Sequence, residues 1–137
     1  MQAYKSDEKN MFLWSFPPGF PTMVNELAGM RPIYHVYIVT NFTRTVLYTG
    51  VTNNLRARLY EHYMAGDEHF TGKYKAHFLI YYEPHTYVNN AIQREKDIKS
   101  WGRKRKLALI AAFNPQAAFL NHQFFDSWPP PEGSSFR

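Results

Sequence analysis

The chain contains no cysteine. That excludes disulfides, thiolate nucleophiles and cysteine-based zinc sites. The absence suits a reducing compartment, and a cytoplasmic protein is expected. No apolar run approaches the roughly 18 residues that a membrane span requires. Nor does the N-terminus have a basic start leading into a continuous apolar stretch, so no secretory signal is expected. His69, His77, His85 and His122 show no metal-ligand spacing. A glycine-rich phosphate loop and a serine in a nucleophile setting are also missing.

What is present is aromatic and basic. The 137 residues have room for one domain with a modest core, plus tails. Aromatics make up 18% of the chain, and ten tyrosines supply much of that. Tyrosine serves packing and hydrogen bonding together. A formal charge of +5 and a pI near 9.5 favour an anionic partner. Nucleic acid is the first candidate and a membrane surface a distant second.

Residues 1–31 read as an irregular extension. They mix scattered charge with Phe16-Pro17-Pro18-Gly19-Phe20-Pro21, which resists regular structure. A short helix from Thr22 to Ala28 is the one element expected there. Met30 begins a sequence that would make a domain on its own, leaving an extension, a docking arm or an upstream start as readings of what precedes it. The domain proper is expected over 32–120, and 121–137, with Pro129-Pro130-Pro131 and Gly133-Ser134-Ser135, as a mobile tail.

Within the domain, Ile33–Thr40 and Thr45–Gly50 are rich in β-branched and aromatic residues. The short polar loop between them predicts an antiparallel hairpin. Thr52-Asn53-Asn54 offers cap chemistry for a helix from Leu55 to about Met64. His77–Glu83 is a third strand, stopped by Pro84. Helices follow over 88–101 and 103–113, closed by Gly102 and by Asn114-Pro115. The order β-β-α-β-α-α is an α+β domain with a small antiparallel sheet.

Four groups of residues stand out. Arg58 and His62 border the Leu55–Leu59 stripe, within about 60° of Leu55 on a helix turning 100° per residue. A guanidinium beside the core suits phosphate, and equally suits pairing with Glu61 or Glu83. Glu95 falls in the middle of the apolar face formed by Val88, Ala91, Ile92 and Ile98. An ionised carboxylate buried there without a partner costs several kcal/mol or more. It must be paired, with Arg58 or Lys99 as candidates, or protonated, set at a cleft, or bound to a metal. Tyr37 and Tyr48 are ordinary strand residues taken singly, but Gly50 allows close backbone approach beside them. Finally, Arg94, Lys96, Lys99, Arg103, Lys104, Arg105 and Lys106 place seven of the sixteen Lys and Arg residues within thirteen positions. So dense a cluster suits a phosphate track, and Trp101 within it is placed either to stack on a base or to pack.

Together these residues resemble the GIY-YIG endonuclease superfamily, closest to its small stand-alone bacterial branch, with a URI-type domain. The first signature tripeptide stands as His35-Val36-Tyr37 and the second as Tyr48-Thr49-Gly50. Gly50-Val51-Thr52-Asn53-Asn54-Leu55-x-x-Arg58-Leu59-x-x-His62 follows. Phe70-Thr71-x-Lys73-Tyr74, Leu79-Ile80-Tyr81-Tyr82-Glu83 and Ala91-Ile92-x-Arg94-Glu95-Lys96-x-Ile98-Lys99-x-Trp101 extend the match, and Asn114-Pro115 closes it. The signature's first glycine is replaced by His35 and its second isoleucine by Thr49. Neither change removes a catalytic side chain.

The resemblance implies a three-stranded antiparallel sheet and a metal-dependent endonuclease acting on DNA, with single-stranded or structured DNA among the possible substrates. Glu95 would hold one Mg²⁺ or Mn²⁺. Arg58 would bind the scissile phosphate. Tyr37 and Tyr48 would orient or deprotonate the attacking water, one of them as a phenolate favoured by Arg58 and the metal, with His62 assisting. Gly50, Lys73, Arg94, Lys99, Arg103, Lys104, Arg105, Lys106 and Asn114 would bind substrate or support the site. The alternative is a non-catalytic nucleic-acid-binding module of the same fold, acting through the basic helix 94–106.

Overall fold

The computed structural model describes residues 32–131. The helix expected over Thr22–Ala28, the rest of 1–31, and residues 132–137 lie outside the described residues. Strands β1 (Tyr34–Thr40), β2 (Leu47–Thr52) and β3 (Phe78–His85) form an antiparallel sheet in the order β2-β1-β3. Four helices accompany it: α1 (Leu55–Met64), α2 (Phe70–Lys73), α3 (Val88–Ser100) and α4 (Arg103–Phe113). The α+β class and the three-stranded sheet are as expected.

β1 is central, so its alternation serves two cores rather than one face and solvent. Val36 and Ile38 pack with Val51, Ala91, Ile98 and Ile110 under α3 and α4. Tyr37 and Val39 point the other way, onto Leu55 and Leu59 of α1. Each fully buried aliphatic residue contributes about 1.5–3 kcal/mol relative to exposure. Asn54 caps α1, its side-chain oxygen accepting from the Ala57 N–H at 3.0 Å.

Two strands and one short helix differ most from expectation. β2 starts at Leu47 because the backbone N–H groups of Thr45 and Val46 both donate to the Asn41 side chain, at 2.8 and 3.2 Å, and belong to the turn. It runs on to Thr52, which pairs with His35. β3 continues through Pro84, a residue that an edge strand tolerates. The third difference is α2, a four-residue helix too short to show any periodicity.

Residues 121–131, expected as the start of a mobile tail, are packed. The Leu120 N–H donates to Leu79 O at 2.7 Å, and Asn121 accepts from Leu79 N at 2.8 Å while donating to His77 O at 3.0 Å. This covers the open edge of β3. Phe125 is buried, and Trp128 packs on Tyr63 and His77 while donating to His77 Nδ1 at 3.0 Å. No helix among the described residues is long and apolar enough to cross a membrane.

Candidate active site

The two signature tyrosines lie on the α1 side of the sheet, in adjacent strands. Tyr37 pairs across with Gly50, and Tyr48 with Val39, so both side chains emerge toward α1. Gly50 is needed there because a Cβ on it would sit 2.6 Å from Cζ of the Tyr37 ring. The Tyr37 hydroxyl therefore lies directly over the Gly50 backbone.

Tyr37 is 1% exposed, and its hydroxyl lies 2.6 Å from His62 Nε2. His62 Nδ1 lies 3.1 Å from the Thr71 hydroxyl. Burial pushes the Tyr37 phenol well above its ordinary range, with the Arg58 guanidinium offsetting only part of this. Burial also pushes His62 well below its ordinary value, and the Arg58 charge adds to that. Both groups are therefore neutral near pH 7. In the tautomer that leaves Nε2 bare, the phenol donates to Nε2 and the N–H at Nδ1 donates to the Thr71 hydroxyl. At Tyr37 desolvation outweighs the Arg58 charge, so the protonated phenol is favoured there in the chain alone.

Tyr48 is half-buried. Its ring stands edge-on to His62 with centroids 5.3 Å apart, and the Lys99 ammonium lies 5.3 Å from its centre. Lys99 reaches Glu95 Oε2 at 3.1 Å, one helical turn away on α3. Glu95 is 1% exposed, the only carboxylate among the described residues that is buried to this degree. Its charge, like those of Arg58 and Tyr48, is felt at the Tyr37 phenol. Tyr37, Tyr48, Arg58, His62 and Glu95 are thus brought to one region, at the junction of β1, β2, α1 and α3.

Of the pairings open to Glu95, the one with Lys99 forms. Arg58 is buried, and its Nη1 lies 3.4 Å from Glu61 Oε1. Burial raises the Glu61 carboxyl, and Arg58 opposes that rise. Glu83 is committed elsewhere. Burial alone would raise its carboxyl, but hydrogen bonds from Arg94, Tyr81 and His85 hold it below its ordinary value. Arg94 grips it with two nitrogens, at 2.9 and 3.2 Å.

The remaining expected residues divide. Lys73 is exposed on α2, its ammonium 5.4 Å from the Tyr74 ring centre. Lys104 is exposed at the start of α4. Arg94 is spent on Glu83, and Arg105 stacks on Trp101 at 3.9 Å, with Arg94 5.4 Å from the same ring. Trp101 packs against the sheet core between these two guanidiniums, which favours packing over base stacking. Arg103 donates to Arg44 O at 3.1 Å. Burial, then the Arg103 charge, lowers the Lys106 ammonium. Asn114 is buried and its amide is fully used: it donates to Ile80 O and Ala118 O and accepts from Ala118 N. These bonds anchor the chain after α4 to β3.

Two neighbours of the site, Thr71 and Phe70, are not among the site residues that the sequence singles out. Thr71 is buried against His62, while Phe70 stacks on Tyr48 with centroids 5.9 Å apart. The motif Phe70-Thr71-x-Lys73-Tyr74 is the signal that points to them.

The model of the GIY-YIG catalytic domain matches residues 33–108. A UPF0213 protein of Staphylococcus haemolyticus is 34% identical over 77 residues, covering 56% of this chain and 93% of its own length. UPF0213 proteins of Staphylococcus aureus, that of strain N315 among them, are 32% identical over the same shares. No solved structure gives a significant match. With the domain matched over more than half its length and a relative covered almost end to end, the chain belongs to the GIY-YIG family, whose function is of the nuclease type.

Proposed function

We propose that this protein is a divalent-metal-dependent endonuclease that hydrolyses phosphodiester bonds in DNA. The observation that carries this is the buried carboxylate of Glu95, linked through Lys99 to the ring of Tyr48. An acid held in an apolar helix face needs a cationic partner, and Lys99 occupies that role in the chain alone. Among the described residues no three His, Asp or Glu side chains gather as metal ligands. One carboxylate, completed by waters and substrate phosphate oxygens, fits Mg²⁺ or Mn²⁺ better than zinc. Glu95 is the residue that would hold the ion. When bound, such an ion supplies Lewis-acid stabilisation of the phosphoryl oxygens and of the leaving oxygen.

The chain's own residues do the rest. Arg58 presents a planar cation beside the tyrosines, suited to the charge that develops on the phosphate. Tyr48 is the better placed of the two phenols to meet an attacking water, since Tyr37 is enclosed. Tyr37 faces His62 Nε2 through its hydroxyl, so a proton released at the site would reach the imidazole by way of that hydroxyl, which gains one proton as it passes its own to Nε2. Lys99 balances the Glu95 charge before substrate arrives and has a phosphate within reach of its flexible stem afterwards.

The test is a metal-titrated assay of the full chain on labelled single-stranded, duplex and branched DNA and on RNA. Cleavage with Mg²⁺ or Mn²⁺ that disappears with chelator is the expected result. Binding without cleavage across all metals and substrates would leave only the nucleic-acid-binding module.

A further inference from the structure

Beside Tyr48 the surface carries a run of rings that the hydrolytic chemistry does not use. Phe70 stacks on Tyr48 with centroids 5.9 Å apart and planes 27° from parallel. Tyr74 continues the run, 4.8 Å from Phe70. Phe70 is 43% exposed and Tyr74 41%, so large apolar faces stand in water next to a half-buried site residue. Isolated exposed apolar residues are common, but a contiguous aromatic pair is less so.

The backbone that carries the pair is packed from below. Thr71, between them, is buried against His62, and its carbonyl accepts from Ala76 N at 2.8 Å. A Cβ on Gly72 would collide with the carbonyl oxygens of Ala65 and Gly66, so the glycine lets α2 press onto the end of α1. Local structure thus fixes Thr71 inward and leaves Phe70 and Tyr74 facing out. Two ammonium groups flank the rings: Lys73 lies against Tyr74, and Lys99, itself paired with Glu95, against Tyr48. Adjacent aromatic rings flanked by ammonium groups match the requirements of a nucleobase and its phosphates. Bases stack on such rings whatever their identity, while lysines track the backbone.

We infer that Phe70 and Tyr74 form a stacking platform for an unpaired nucleobase adjacent to the scissile phosphate, which selects single-stranded or locally unpaired DNA. This deepens the endonuclease reading and rests on it for the location of the phosphate. A base within a duplex has both faces covered by its neighbours and cannot reach the rings without leaving the stack. Discrimination between single and double strands therefore arises at this platform and not at the hydrolytic groups.

The test is binding by the full chain in chelator, where no cutting occurs, of oligodeoxynucleotides carrying 2-aminopurine, single-stranded or fully paired. The expected result is quenching and tighter binding of the single strand. Phe70→Ala abolishes the quenching and weakens single-strand binding about tenfold or more, as loss of one stacked base implies. Phe70→Trp retains both, which separates stacking from a loss of folding. Equal affinity for the two forms in the unmodified chain, or quenching unchanged in Phe70→Ala, overturns the platform. A protein that cuts DNA yet shows neither quenching nor preference keeps its nuclease assignment and loses this one. Quenching without cleavage under any metal leaves the platform standing and removes the hydrolytic reading. If the rings serve a protein contact instead, the single strand and duplex bind alike, which is the overturning result.

Discussion

The Tyr37 hydroxyl and His62 Nε2 lie 2.6 Å apart in a region closed to solvent, where burial keeps the imidazole neutral. This pair joins the central strand to α1. Tyr37→Phe keeps the ring but leaves a buried acceptor on His62 unsatisfied. A loss of about 1–3 kcal/mol in stability is expected, measurable by denaturant unfolding. Cleavage falls by about 10²–10⁴ if the pair also moves a proton. An unchanged rate in a destabilised Tyr37→Phe protein would make the pair purely structural.

Gly50→Ala acts on the same phenol from below. The added methyl would overlap the hydroxyl end of the Tyr37 ring. Overpacking of this kind costs about 1–3 kcal/mol. The added methyl displaces the hydroxyl from Nε2, so the rate falls with the stability. Tyr37→Phe does not rescue the variant, because Cζ itself is 2.6 Å from the new carbon.

Acid destabilises the protein through its buried imidazoles. His77 is lowered to about 4, chiefly by burial, and His62 is pushed well below its ordinary value. In the unfolded chain both take up protons near pH 6.5. The unfolded state thus binds more protons below that pH, and stability falls as pH drops from about 6.5 toward 4. His77→Gln should flatten part of this slope in unfolding measurements. Trp128→Phe should weaken the packing of 121–131 at every pH, since it removes the indole donor to His77.

The basic helices should separate under salt titration. Lys104 is exposed and pairs with no carboxylate among the described residues, so Lys104→Ala should reduce the salt dependence of DNA binding by about one phosphate contact. Arg94→Ala should instead lower stability, because it releases Glu83 in a part-buried network. A drop in affinity for Arg94→Ala with unchanged stability would reassign Arg94 to the phosphate track.

Much of the fold and site is legible in the sequence wherever a pattern is long enough to repeat. β1 is legible from its β-branched and aromatic run, α1 and α3 from their apolar stripes and α4 from the stops that bracket it, and the helical position of Glu95 places that carboxylate in an apolar face. Short and non-local features are not legible. Four residues cannot display a helical period, so the sequence hides α2, and with it the Thr71 contact to His62. The end of β3 is hidden too, because proline is harmless on an edge strand and strand order is a tertiary property. Residues 121–131 have the composition of a tail, yet Phe125 and Trp128 pin them down. That Lys99 reaches Glu95 while Arg58 also reaches Glu61 needs the fold as well, because both contacts depend on how α1 and α3 pack on the sheet.

The measurement that bears most directly on the role of Glu95 is cleavage of labelled DNA by the full chain and by Glu95→Ala across a Mg²⁺ and Mn²⁺ series. Metal-dependent cutting by the unmodified chain, abolished by chelator and reduced by about 10² or more in the variant, is the predicted result. Cutting by a folded Glu95→Ala protein at the unmodified rate would contradict it.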